Sequence, residues 1–326
     1  MTPLAAGALA FVALAGDGDG ASAASEALLR APFPAPRASF FHAALDVPPL
    51  ASAMTLPAGA VVGRFSSTGT HSYETRSIDG IENHFDGAFR ELFAAEGVFG
   101  LADGFELSVR SAFGGWDEHR DNFDLFDANG DYIVSDEGAH LEGKATKRHD
   151  NVTSVFLRGK LLFFEGEGEG EGRGGGAATS GQLSLKIPVA PDRDLSNAGT
   201  YDVNAAILET VRCGDVTFHA NAGVGVPLGE ETLFEDDADV DLNPFLHGGI
   251  AADWAVSGDF ALGLQLEANT SAFRDVEFLE GPAISGFAGA RKFFGDGFWV
   301  EMGGGLGLAS ESTYEWTYLL SAGIVF

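Results

Sequence analysis

Cysteine is almost missing from this chain. Cys213 stands alone in 326 residues, so no disulfide can form within it. Long apolar runs are missing too, and none reaches the roughly 20 residues that a membrane-spanning helix needs. Basic residues are scarce, with 19 Lys and Arg against 48 Asp and Glu. The resulting net charge of −29 excludes nucleic acid as a partner. Catalytic grouping is also lacking. His71 and Ser72 are adjacent, and neighbours on a strand face opposite ways, so they cannot form one site. His219 and His247 fall on neighbouring predicted strands where they could meet, but no third metal ligand accompanies them. No motif offers nucleophile, base and orienting group together, so the chain does not read as an enzyme and no cofactor is implied.

What is plentiful is glycine, at 45 residues, and phenylalanine, at 27. Helices tolerate glycine poorly, whereas strands use it at bends and turns. The most informative stretch is the last, Tyr314 to Phe326. Tyr314, Trp316, Tyr318, Leu320, Ala322, Ile324 and Phe326 share one face, and Glu315, Thr317, Leu319, Ser321, Gly323 and Val325 the other. Period-two alternation is that of a β-strand. An apolar face with aromatics at both ends suits a strand between lipid and a polar lumen. A closing C-terminal Phe resembles the terminal strand of bacterial outer-membrane barrels.

The same plan repeats upstream. A weak first strand is predicted from about Ala60 to Tyr73, then one over 84–101 and another from Phe105 to Phe113, joined by Asp103-Gly104, a hairpin signal. Within 84–101, Glu91 is the one misfit on an otherwise apolar face. Strands over 152–164 and 181–190 follow. Three further hairpins pair 203–211 with 216–226, 246–256 with 260–268, and 284–294 with 298–308. The alternation is clean in 216–226 and 260–268 and blurred in 203–211 and 284–294. With the terminal strand these make twelve, an even number suited to a bacterial barrel. The predicted fold is therefore all-β, a closed antiparallel transmembrane β-barrel spanning 59–326. Alternation alone fits a soluble β-sandwich as well. Tight turns gather at one end and long connections, including 114–150, at the other, which puts both termini on the periplasmic side. Glu165 to Gly176, a Glu-Gly repeat at the short-turn end, reads as a flexible segment. Residues 1–15 read either as a secretory signal with a cleavage site at Ala13-Leu14-Ala15 or as an Ala-rich tail. Residues 16–58, rich in Pro and Ala, read as an extended segment without helical or strand periodicity.

Several stretches carry a family resemblance: Pro32-x-Pro34-x-Pro36-Arg37, Pro48-Pro49, Leu56-Pro57-Ala58-Gly59, Phe85-Asp86-Gly87-Ala88, and Gly97-Val98-Phe99-Gly100-Leu101-Ala102-Asp103. Over roughly Ala31 to Phe113, and into Gly114-Gly115, the chain resembles an uncharacterised bacterial family, domain-of-unknown-function family number 3187. The resemblance implies an outer-membrane β-barrel and brings no catalytic residues. The acidic loop after Gly115 departs from the family's pattern.

Inward-facing charges divide by wall. Arg90, Arg110, Arg158, Lys160 and Lys186 fall on the early strands, and Asp253, Glu267, Glu301 and Glu315 on the late ones. Two readings stand. Opposed basic and acidic walls select solutes, as charged rings do in channels. Alternatively the charges pair, with Asp86, Glu96 and Glu106 available to do so, and plug the interior. The loop from Gly114 to Asp150 carries Asp127, Asn129 and Asp131 at alternate positions, like half of a calcium loop. Tyr132 stands where that loop needs Gly and Glu137 arrives one residue early, so weak calcium binding and a plain acidic turn are both open. Asp236, Asp237, Asp239 and Asp241 are similarly ambiguous. The function expected is a passive pore or small-solute transporter of the bacterial outer membrane. Its partners would be lipid and lipopolysaccharide, and the barrel-assembly machinery through the C-terminal strand. A plugged barrel with a structural or surface-binding role is the first alternative, and an outer-membrane lipid hydrolase the second.

Overall fold

The computed structural model describes residues 18–35, 48–78, 81–120, 145–168, 175–189, 200–228, 231–232, 239–240, 242–272, 281–295, 297–309 and 315–326. Of 18–21, 72–93, 112–120, 145–153, 167–168, 231–232, 239–240 and 309 only the backbone is described. The first described element is a helix, α1 (Gly18–Leu29), and strands follow it. These are β1 (Val61–Ile78), β2 (Ile81–Ala102), β3 (Phe105–Arg120), β4 (Ala145–Gly168), β5 (Gly175–Pro188) and β6 (Tyr201–Cys213). After them come β7 (Val216–Leu228), β8 (Phe245–Ser257), β9 (Phe260–Asn269), β10 (Ala283–Phe294), β11 (Phe298–Ala309) and β12 (Trp316–Val325). Each strand pairs antiparallel with the next, and β1 pairs with β12 from Val62↔Val325 to His71↔Trp316, which closes a twelve-stranded barrel. A two-residue ladder, Glu231–Thr232 with Asp239–Val240, stands apart from the wall.

The alternation in the sequence becomes an inside and an outside. Each strand presents at least one large apolar side chain outward with nothing over it: Phe65, Leu101, Phe105, Phe163, Leu183, Ile207, Phe218, Ile250, Leu264, Phe294, Met302 and Leu320. Leu264 is 66% exposed, and soluble monomers do not tolerate an apolar belt of this extent. Among the described residues no second layer covers it, and the sheet closes on itself, which removes the sandwich. Phe105, Phe163, Trp254, Phe294 and Phe298 ring the short-turn end, and Tyr201 and Trp316 stand toward the other. Many inward positions are polar: along β12, Thr317 and Ser321 are buried while Leu320 and Ile324 are exposed.

The turns follow from their residues. Gly104, Gly214 and Gly295 sit in the left-handed region, with φ of 76°, 63° and 66°, where a side chain would be strained. Other features depart from the sequence reading. The ladder of β3 with β4 runs on to His119↔Ala145, well into the span predicted as loop. Register shifts near Phe113 break the side-chain alternation there, while backbone pairing continues regardless of side-chain polarity. The Glu-Gly repeat likewise begins as strand, with Glu165 to Gly168 paired to Ala178 back to Gly175. A bulge sets Ser66 against Ala94 and Thr68 against Glu91. It gives β2 one extra residue, so Glu91, the misfit of the outer face, is paired with the inward-facing Thr68.

The N-terminal segment, read from the sequence as extended, is in its described part helical over Gly18–Leu29 and packed against the wall. Ala24 and Leu29 of α1, with Leu56 and Ala60, pack against Val62, Ala261, Phe293, Trp299 and Val325 from the wall. Phe33 packs with Phe287 and Leu319, and Ala53 with Ala178, Ala206 and Leu208. Alanine-rich sequence favours helix, but twelve residues are marginal alone, so α1 depends on this seat at the short-turn end of the barrel.

Candidate functional site

The interior is built from two parts, the inward side chains of the wall and the N-terminal segment threaded among them. The last carbonyls of a helix have no partner within it. Here the wall supplies them. The Arg291 guanidinium on β10 donates to the Leu28 carbonyl and, at 3.0 Å, to that of Ala31. His219 on β7 places Nε2 2.8 Å from the Arg30 carbonyl. Cations at a helix C-terminus are also favoured by its dipole.

The second leg, residues 48–60, is held along its backbone. Asn221, with its amide turned to suit both partners, accepts from Ala51 N–H at 2.7 Å and donates to Ala51 C=O at 3.1 Å. Ala53 N–H donates to Thr210 Oγ1 at 2.8 Å, and Ser180 Oγ donates to Ala53 C=O. Lys160 Nζ donates to the carbonyls of Ser52 (3.2 Å) and Met54 (2.7 Å), and Leu56 N–H donates to Glu106 (3.0 Å). His219 joins the two legs, since its Nδ1 lies 2.9 Å from Thr210 Oγ1. One tautomer satisfies the whole set, with Nε2–H donating to Arg30 C=O and Nδ1 accepting from Thr210.

The charges of the wall form a chain across the closing seam. Arg291 Nε and Nη2 donate to Glu301 Oε2 at 2.8 and 2.6 Å, and Ser321 Oγ donates to Glu301 Oε1 at 2.6 Å. Arg64 Nε lies 3.7 Å from Glu301 and its Nη1 3.0 Å from Glu96. Glu96 in turn stands 3.9 Å from Arg158. Arg110 and Arg158 lie over the same Phe156 ring, at 5.5 and 5.8 Å, while Lys160 pairs with Glu106 at 2.9 Å. A cavity of about 190 Å³ opens between this stretch of wall and the plug, lined by Arg64, Glu96, Glu106, Arg110, Arg158 and Lys160.

The remaining sequence-predicted residues distribute as follows. Lys186 is fully buried, 3.1 Å from Asp202. Asp253 is fully buried 3.5 Å from His219, and neither of its oxygens accepts a hydrogen bond among the described residues. Glu267 accepts from Gln265 at 3.2 Å and from the Leu50 N–H. Glu315 stands exposed at the rim just before β12, 3.3 Å from His71, which stacks on Trp316. Arg90 pairs in register with Gly69 and Trp116, one position off the inward-facing Thr68 and Thr70, and its side chain lies outside the described residues. Asp127, Asn129 and Asp131 lie outside them as well. His219 and His247 do not meet. His219 pairs with Ala251 and His247 with Gly223, four positions apart, or about 13 Å along a strand.

Sequence reasoning missed Arg64, Arg291 and the plug. A signal existed. Phe287, Phe293 and Trp299 are apolar side chains on inward positions of β10 and β11, where a water-filled lumen has no use for them, and they are the residues the plug packs against.

A closed barrel with an apolar belt, a charged interior and short turns at one end has the architecture of outer-membrane channels. No protein-family model and no curated protein matches the chain. Among solved structures it is similar to the outer membrane channel of Pseudomonas putida F1, at 14% identity and a TM-score of 0.59, over 83% of this chain and 97% of that one. The NanC porin aligns over 80% of this chain and 98% of its own, at 8% identity and a TM-score of 0.46. The KdgM porin aligns over 82% and 99%, at 9% identity and 0.40. The first of these supports the fold. At such identities none speaks to a solute.

Proposed function

We propose that this chain is an outer-membrane barrel, of the uncharacterised family it resembles, that passes small solutes through an interior with unequally charged walls. Residues 18–35 and 48–60 act in it as a plug. The carrying observation is the combination of a closed wall, an uncovered apolar belt and a charged interior. Among the described residues, β1 to β5 turn five cations inward against Glu96 and Glu106. Strands β8 to β11 turn Asp253, Glu267 and Glu301 inward against Arg291. Such a transverse field orients dipolar solutes and biases ion passage. Lipid and lipopolysaccharide surround the belt, and the C-terminal strand is what the assembly machinery would read.

Single-channel recording in planar bilayers tests the proposal. The full chain, and a Phe33→Ala variant with a loosened plug, should give conductance steps, larger or more frequent in the variant. Arg110→Glu with Arg158→Glu should shift the reversal potential toward cations. Silence from both folded proteins would replace passage with the second reading, a plugged barrel of structural role. That reading draws on the plug's hydrogen bonds to the wall, from Arg291 and His219 at one leg to Lys160 and Glu106 at the other.

A further inference from the structure

One carboxylate stands on the outer side of the wall, within the apolar belt. Glu209 points outward from β6, between the exposed side chains of Ile207 and Val211. Its cross-strand neighbours are Thr179 on β5 and Ala220 on β7. Thr179 Oγ1 donates to it at 2.9 Å, and among the described residues no cation pairs with it. One hydroxyl does not balance a carboxylate, which in hydrocarbon needs a counter-charge. Beside Glu209 the belt has a hollow of about 510 Å³, within the roughly 300–1,000 Å³ of ligand pockets. The strand register explains its shape. Glu209, Ala220, Ile250 and Leu266 lie in one cross-strand row, and Val211, Phe218, Ala252 and Leu264 in the next. Ala220 and Ala252 are therefore diagonal neighbours and form a low floor, with Phe218 and Ile250 as walls on either side. Glu209 lies at one end of this groove and Leu264 at the other.

We propose that this groove binds one phospholipid with a primary ammonium headgroup, a phosphatidylethanolamine, its acyl chain over Ala220 and Ala252 and its ammonium on Glu209. The site rests on the reading of the belt as lipid-facing and adds to it a particular lipid at a particular place. His219 and Gln265 border the hollow but turn their side chains inward, so Glu209 is the polar side chain that faces it. An ammonium brings a positive charge and three N–H donors in one group, which matches the acceptor sites of the carboxylate. A choline headgroup carries the charge without an N–H to donate. A glycerol headgroup carries no cation, so the lipid's phosphate would stand uncompensated beside Glu209 and repel it. Glu209 lies in the half of β6 nearer the short turn, the side from which a headgroup reaches it. The groove is independent of conduction, because it lies outside the lumen.

Native mass spectrometry of the full, folded chain in detergent tests this. The probes are dioleoyl phosphatidylethanolamine, phosphatidylcholine and phosphatidylglycerol in equal amounts, so that only the headgroup differs. The ethanolamine lipid should be retained over the other two by about tenfold, as expected when one charged hydrogen bond separates them. Glu209→Gln should abolish that preference. Glu209→Asp should keep part of it and covers the case in which the glutamine variant does not fold. Ala252→Leu, which fills the floor of the groove, should lower retention of all three lipids. Asp259→Asn, which removes a carboxylate at a turn, should leave the preference unchanged. Equal retention of the three lipids by the unmodified chain, a preference that survives Glu209→Gln, or undiminished retention in Ala252→Leu would overturn the proposal. Equal retention sinks this site and leaves the belt facing lipid. Retention of none of the three, together with no penalty for Leu264→Arg in vesicles, removes the belt reading and the site with it.

Discussion

Arg291 shows how much one residue can decide in this interior. It is 1% exposed, lies 4.7 Å over the Phe33 ring, and divides its donors between Glu301 and the carbonyls that end α1. Removing one partner of such a pair strands the other charge without water, at a cost of about 3–5 kcal/mol. Arg291→Met should therefore lower the urea midpoint of the folded, heat-modifiable band by a clear margin. Lys292→Met, one residue on, breaks an exposed pair with Asp259 worth at most about 1 kcal/mol and should leave the midpoint nearly unchanged. Nothing in the sequence separates these two neighbours except parity on a strand whose alternation is blurred by Phe287 and Phe293. The same limit hid Arg64, which lies on the weakly patterned β1. Where alternation was clean, as in Phe260 to Ala268, inward Gln265 and outward Leu264 could be assigned from the sequence and stand that way in the structure.

At the level of elements, the strands were legible and the plug was not, for one physical reason. A barrel strand carries its own record of which side meets lipid, and β7 from Val216 and β9 from Phe260 begin where the pattern begins. The plug has no such record, because its surroundings are a wall that is polar in places and apolar in others, and much of its second leg is held through backbone groups that any sequence possesses. Its side-chain anchor is Phe33, completely buried in a space left by Gly263 and Gly289, where an added Cβ would run into the ring. Phe33→Ala should cost about 3–5 kcal/mol of docking. Because the loss is local, amide exchange in residues 48–60 should quicken while the wall strands keep their protection. Gly289→Val, which fills the seat from the other side, should give the same exchange pattern. If both variants left the plug protected as before, Phe33 would not be its anchor.

For the molecule as a whole, the decisive relation is between the outer belt and its surroundings. Leu264 and Gln265 are consecutive, yet one is 66% exposed on the outside and the other 5% exposed within. In water, an arginine in place of an exposed leucine is close to neutral for stability. In hydrocarbon, an arginine near the midplane costs about 2–4 kcal/mol, falling toward zero at the interfaces. Leu264→Arg, mid-strand on β9, should therefore destabilise the barrel in bilayers by about that amount. Trp254→Arg, in the aromatic ring near the short turns, should cost about 1 kcal/mol or less of lipid-facing penalty. Reversible unfolding in lipid vesicles measures both. The depth dependence is what matters, because a barrel whose belt faced water would give no gradient from Leu264 to Trp254, and the inside would then have no claim to be a passage across anything.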